Sequence, residues 1–157
     1  MTIDRTDRHI LQVLQKEGRI SNLELAEKTS LSPSPCLRRV KRLEDEGIIT
    51  SYVARLDPDR LGLKLMALIH ISLDRHTPDR FENFEKLVSG FEEVLECFLI
   101  TGQQADYLLK VIVPDMDHYQ HFLLGKLTRI EGVSGVHSSF VMRKAVESTI
   151  LPLAHLE

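Results

Sequence analysis

The chain is poor in cysteine. Its 157 residues include only Cys36 and Cys97, too few for a disulfide framework and without metal-ligand spacing to a partner. It lacks any apolar run of membrane-spanning length, and Met1-Thr2-Ile3-Asp4-Arg5 carries no signal-peptide core. It has no Gly-rich phosphate loop, no nucleophile–base arrangement, no internal repeat and no low-complexity stretch. These absences argue against secreted, membrane-bound and nucleotide-binding classes. The expectation is a cytoplasmic chain that is not an enzyme and needs no cofactor.

What is present is one or two cores' worth of apolar residues and an uneven charge. The net charge is −3. Residues 1–60 hold 11 Lys/Arg and 10 Asp/Glu, whereas residues 61–157 hold 9 and 13. The cations of the first part concentrate at residues 38–42. A locally positive face on a mildly acidic protein suits salt-sensitive DNA binding.

The segment from Leu31 to Glu44 is the richest in signals. Ser32 reads as an N-cap, Pro33 as the first helical residue and Gly47 as the stop, which predicts a helix from about Pro33 to Glu46. At roughly 100° per residue, Cys36, Leu37, Val40, Leu43 and Glu44 fall on one side. Ser34, Pro35, Arg38, Lys41 and Arg42 fall on the other, with Arg39 on the rim. The second side is expected to be cationic and free. Ser34, Pro35, Arg38, Arg39 and Arg42 are expected to face the DNA groove, where Arg can pair bidentately with guanine, with Lys41 on phosphate.

The flanks support this use. A first helix is predicted from Asp4 to Gly18, with Ile10, Leu11, Val13 and Leu14 as its stripe. Ser21 and Glu24 form a capping box for a short second helix ending near Thr29. Ser30-Leu31 then connects tightly into the Arg-rich helix. This is the helix-turn-helix layout, in which Ser21 and Asn22 would add DNA backbone contacts. The β-branched stretch from Ile48 to Leu56 is expected to be extended, as the wing or exit strand.

From Lys64 the pattern changes. The expected strands are Leu65–Leu73, Val94–Ile100, Asp106–Val113 and Val136–Val146. Helices open at Pro78-Asp79 and Pro114-Asp115. Strand, helix, strand, strand, helix, strand is the ferredoxin-like arrangement. Its sheet carries helices on one face, so the other is expected to be covered by a second copy of the chain. The fold class is therefore α+β: residues 1–52 a winged helix-turn-helix, 53–63 a hinge strand and linker, and 64–157 a ferredoxin-like βαββαβ domain with a C-terminal tail. A two-fold homodimer would present two DNA-reading helices to a pseudo-palindromic site on double-stranded DNA.

Other clusters have simpler readings. Asp115, Asp117, His118 and His121 gather at a helix start, where the macrodipole explains the acids better than a metal does. Cys36 reads as a small buried hydrophobe and His70 as a core histidine.

The whole chain resembles the Lrp/AsnC (feast/famine) family of transcription regulators. The likeness runs through Asp7 with Ile10-Leu11, residues 18–22, Leu31 to Glu44, Gly47-Ile48-Ile49, Thr101-Gly102, Asp106-Tyr107-Leu108-Leu109, Pro114-Asp115-Met116, Gly132-Val133 and Ser138-Ser139-Phe140. The resemblance implies a winged helix-turn-helix, a hinge, and a ferredoxin-like domain that dimerises and senses amino acids. It also implies tetramers or octamers that bend or wrap promoter DNA. The matching effector positions are Thr101, Gly102, Gln103, Gln104, Asp106 and Tyr107, with Asp106 suited to an ammonium group. Here the sequence departs from the family pattern. Gln103-Gln104-Ala105 is one residue longer and lacks the first acid.

The function expected is sequence-specific transcriptional regulation, modulated by an amino acid. One competing reading is a small-molecule-binding regulatory subunit of a metabolic enzyme, whose docking helix should expose an apolar face. Another is a chromosome-organising protein of low sequence specificity, with similar affinity for many sites.

Overall fold

The computed structural model describes residues 3–102 and 105–156. The chain forms two compact units, one of residues 1–55 with 146–157 and one of residues 56–145.

The first unit begins with α1 (Arg5–Leu14), capped by a reciprocal pair. Asp4 Oδ1 accepts from the Asp7 N–H at 2.7 Å, and Asp7 Oδ2 accepts from the Asp4 N–H at 3.1 Å. The helix stops at Leu14 rather than at Gly18. The Val13 carbonyl takes the N–H groups of both Lys16 and Glu17, which tightens the turn and ends the helix early. Helix α2 (Asn22–Lys28) starts at the Ser21/Glu24 capping box, as its spacing predicts.

The turn after α2 carries Ser30 in the left-handed region at φ 56°. The Ser30 N–H bonds the Glu27 carbonyl and the Leu31 N–H the Ala26 carbonyl, which closes the helix end and aims the chain into α3 (Pro33–Asp45). Gly47, at φ 70°, closes α3 the same way, through the bond from Ile48 N–H to the Leu43 carbonyl. Ile10, Leu11, Leu25, Ala26, Cys36 and Leu43 form the buried core among these helices. Burial pushes the Cys36 thiol above its ordinary value, as expected of an inert core cysteine.

Two expectations for this unit are corrected. The stretch after Ile49 forms no strand, because it has no ladder partner among the described residues; Val53 and Leu56 are exposed. The C-terminal tail, assigned in the sequence to residues 64–157, packs on the first unit instead. Leu153 joins its core, Gln15 exchanges two hydrogen bonds with the Leu151 backbone, and Arg8 donates to the Leu156 carbonyl.

The second unit contains β1 (Leu65–Leu73), α4 (Pro78–Val88), β2 (Val94–Leu99), β3 (Tyr107–Val113), α5 (Met116–Gly125), a 3₁₀ turn (Leu127–Arg129) and β4 (Val133–Phe140). The sheet order is β2-β3-β1-β4, with every neighbouring pair antiparallel. This is the ferredoxin-like topology expected. Ala67, Ile69, Ile71 and Leu73 alternate inward along β1 and pack with Phe84, Val88, Tyr119 and Phe122 of the helices.

The fourth strand lies three residues earlier than Val136 and ends at Phe140, not Val146. Its pairing with β1 runs from Leu73↔Val133 to Ala67↔Phe140, and the Val141 N–H to Met66 bond ends the ladder. His70 is not a core residue. It lies on the sheet face away from the helices, in register with His137, at a ring separation of 6.4 Å.

Candidate nucleic-acid interface and effector loop

Helix α3 turns Cys36 and Leu43 into the core and leaves Ser34, Leu37, Arg38, Lys41, Glu44 and Asp45 exposed. Leu37 and Glu44 thus face out, against the sequence expectation. The fully buried arc is narrow: Cys36 and Leu43 alone on this helix are buried, while Val40 is half-buried against the same core.

The cations divide into two pairs. Arg39 Nη1 donates to Asp4 Oδ2 at 2.6 Å and to Asp7 Oδ1 at 2.8 Å, and Arg42 Nη2 donates to Asp7 Oδ2 at 2.5 Å. Asp7 is fully buried, at 0% exposure. A buried carboxylate needs paired charge and hydrogen bonds, and here it has two guanidinium groups and a backbone N–H. Arg39 and Arg42, both expected to face the groove, are therefore not free cations. Both lock α3 onto α1. Arg38 and Lys41 make no ion pair among the described residues and remain open to an anion.

The Asp4 carboxyl is held below its ordinary value, first by the Asp7 backbone N–H and then by Arg39. A depressed folded-state value contributes stability above the unfolded-state value of 3.8. That contribution is lost as pH falls from there through the lowered folded value. Urea midpoints measured from pH 6 to pH 2.5 are expected to fall below about pH 4, with an Asp4→Asn variant falling less steeply.

The start of α2 is used internally. Ser21 Oγ donates to Glu24 and accepts from its N–H, and Asn22 Nδ2 donates to the Pro33 carbonyl at 2.9 Å. Asn22 therefore ties the first turns of α2 and α3 together, and neither side chain is uncommitted. Pro35 is half-buried at the helix start, beside exposed Ser34.

At the loop that the family resemblance marks as a candidate effector site, Thr101 and Gly102 are exposed, and Gly102 sits at φ 83°, a conformation that favours glycine. Gln103 and Gln104 lie outside the described residues. Asp106 closes the loop. Its Oδ2 accepts from the Leu73 N–H at 2.7 Å and its Oδ1 bonds His76 Nε2 at 2.8 Å. The carboxylate suited to a ligand ammonium already has two donors.

Tyr107 is a core residue, 1% exposed, packed on Phe84 with its hydroxyl donating to Glu85 Oε1 at 2.6 Å. Burial and then Glu85 push its phenol well above the ordinary range. The strand register causes this, since Tyr107 shares the helix-facing side with Leu109 and Val111. Asp115 caps α5 by accepting from the His118 N–H at 2.9 Å, and the His118 ring bonds the same carboxylate.

Sequence reasoning missed Asp4, Asp7 and His76 as working residues. Asp7 left a signal: it stands at i−3 and i−4 from Ile10 and Leu11, inside an apolar stripe. His76 left none, because thirty residues separate it from Asp106.

Comparison with known proteins agrees with both units. Residues 3–50 match a winged helix-turn-helix DNA-binding family and residues 66–151 the Lrp/AsnC ligand binding domain. The chain is 46% identical over 149 residues to the leucine-responsive regulatory protein of Escherichia coli K12, covering 95% of this chain and 90% of that protein. A transcriptional regulator of Neisseria meningitidis, solved in complex with L-Met, superposes with a TM-score of 0.95 at 47% identity, covering 99% of this chain and all of that one. An AsnC family regulator from Agrobacterium tumefaciens gives a TM-score of 0.90 at 37% identity over 96% of this chain and 97% of its own. With both family matches and relatives of this identity along nearly its whole length, the chain belongs to the Lrp/AsnC family of transcription regulators.

Proposed function

We propose that α3 enters the major groove of promoter DNA with Ser34, Pro35, Arg38 and Lys41 toward it, while Arg39 and Arg42 hold the helix in place. The observation that carries this is the division of four neighbouring cations into two bonded to buried or capping acids and two left open. Ser21 caps α2 and Asn22 ties α2 to α3 through the Pro33 carbonyl, so both support the reading helix indirectly. The two-fold dimer forms over the sheet face that bears His70 and His137, and presents two α3 helices to a pseudo-palindromic site. Dimers assemble further to tetramers or octamers.

The second unit senses an amino acid at the loop of Thr101 and Gly102. Asp106 shapes the loop through Leu73 and His76, and Tyr107 anchors it from the core. The relatives named for leucine and crystallised with L-Met favour an aliphatic or sulfur-containing effector.

A thermal-shift panel of the twenty amino acids tests the sensing role. At a ligand concentration of 100 Kd, binding adds about 2.7 kcal/mol, or about 5–10 °C in Tm. L-Met or L-Leu is expected to give that rise. A flat response across the panel would rule out amino-acid sensing while leaving DNA binding to its own test.

A further inference from the structure

Leu37 is 57% exposed on the arc of α3 that also displays Ser34, Arg38 and Lys41. Single exposed leucines are ordinary on protein surfaces, so exposure alone says little. Position says more. Cys36 and Leu43 define the buried side of α3, and apart from Pro33 at its first position the other exposed residues of the helix are polar or charged. Ser34 lies three residues before Leu37 and Lys41 four after, so these three form one row along the helix surface. Arg38 stands beside it. Leu37 is also in the second turn of the helix, within the N-terminal part that reaches base edges when such a helix docks.

A branched apolar side chain neither donates nor accepts a hydrogen bond. In the major groove it has one feature to recognise, the 5-methyl group of thymine, which cytosine lacks. We propose that Leu37 is a specificity-determining residue that packs on a thymine 5-methyl, beside an Arg38 base contact and a Lys41 phosphate contact. The inference rests on α3 being the DNA-reading helix. It adds a preference for a T·A pair at one position of each half-site. Removing one buried methyl is expected to weaken binding about fourfold.

The test uses the full chain and a duplex that it selects from a randomised library. Each thymine of that duplex is replaced in turn by deoxyuridine, which deletes only the 5-methyl group. Affinities are measured for the unmodified protein and for Leu37→Ala. Because Leu37 is exposed and alanine is a good helix former, the variant keeps its thermal midpoint.

The expected result is one thymine per half-site whose replacement weakens the unmodified protein about fourfold and leaves Leu37→Ala unaffected. Equal losses for both proteins at every thymine, or no loss at any, overturns the role of Leu37 while α3 still reads DNA. Failure to select any discrete site overturns the reading of α3, and this inference with it. Should Leu37→Ala fold poorly, Leu37→Gln takes its place in the same comparison, and absence of any methyl-sensitive thymine with the unmodified protein overturns the role of Leu37 without a variant.

Discussion

Arg39→Ala combined with Arg42→Ala is expected to lower the unfolding free energy by about 2–4 kcal/mol. Stripping the partners from a buried ion costs about 3–5 kcal/mol. The lower end applies here because the two arginine side chains are 32% and 42% exposed, so solvent screens part of the interaction. Most of the loss comes from Asp7, which is left fully buried with only the Asp4 N–H as a donor. The source of the loss predicts a rescue. Adding Asp7→Leu to the double variant removes the stranded charge and should recover part of the stability, although the α1 capping box goes with it. Urea denaturation followed by circular dichroism reads both. A double variant as stable as the parent, or a triple variant less stable than the double, would show that Asp7 does not anchor α3.

The same network shows where the sequence was legible. The helix starts at Pro33 and Pro78, the Ser21/Glu24 capping box and the Gly47 stop were readable because their signals are local, lying within five residues. The ferredoxin-like order was readable because apolar runs alternate with turn residues. The division of labour among Arg38, Arg39, Lys41 and Arg42 was not, because it depends on acids more than thirty positions away. A helical wheel places Arg42 outward and says nothing of a carboxylate waiting on another helix. Leu37 falls on the wrong side of that wheel for the converse reason: an apolar residue beside the core arc is assigned inward unless the width of the arc that its neighbours cover is known.

The second unit repeats the lesson. Asp106 and Tyr107 stand side by side in the sequence but do different jobs, one tying the loop to Leu73 and His76, the other inside the core against Glu85. Strand alternation separates them, and a one-residue error in register would exchange them. The tail from Val146 onward carries too few periodic apolar residues to announce its docking partner. It binds α1 through backbone groups at Leu151 and Leu156, which have no sequence signature.

The second large effect concerns DNA. Arg38 and Lys41 are exposed and lack ion pairs among the described residues, so Arg38→Ala with Lys41→Ala should leave stability within about 0.5 kcal/mol of the parent. Removing them should nevertheless weaken binding to the selected duplex by at least about 10–100-fold, since one good bidentate base contact is worth about 1–3 kcal/mol. Neutralising a phosphate also releases counterions, so the slope of log affinity against log salt should become shallower by about 0.9 for each phosphate the variant no longer neutralises.

That combination is what separates a DNA-reading face from a solvated one. The decisive measurement is therefore the salt-dependent affinity of the Arg38→Ala, Lys41→Ala protein for the selected duplex, beside its thermal midpoint. Unchanged stability with a large drop in affinity and a shallower salt slope is the result predicted. Unchanged affinity at physiological salt would contradict the assignment of α3 as the helix that reads DNA.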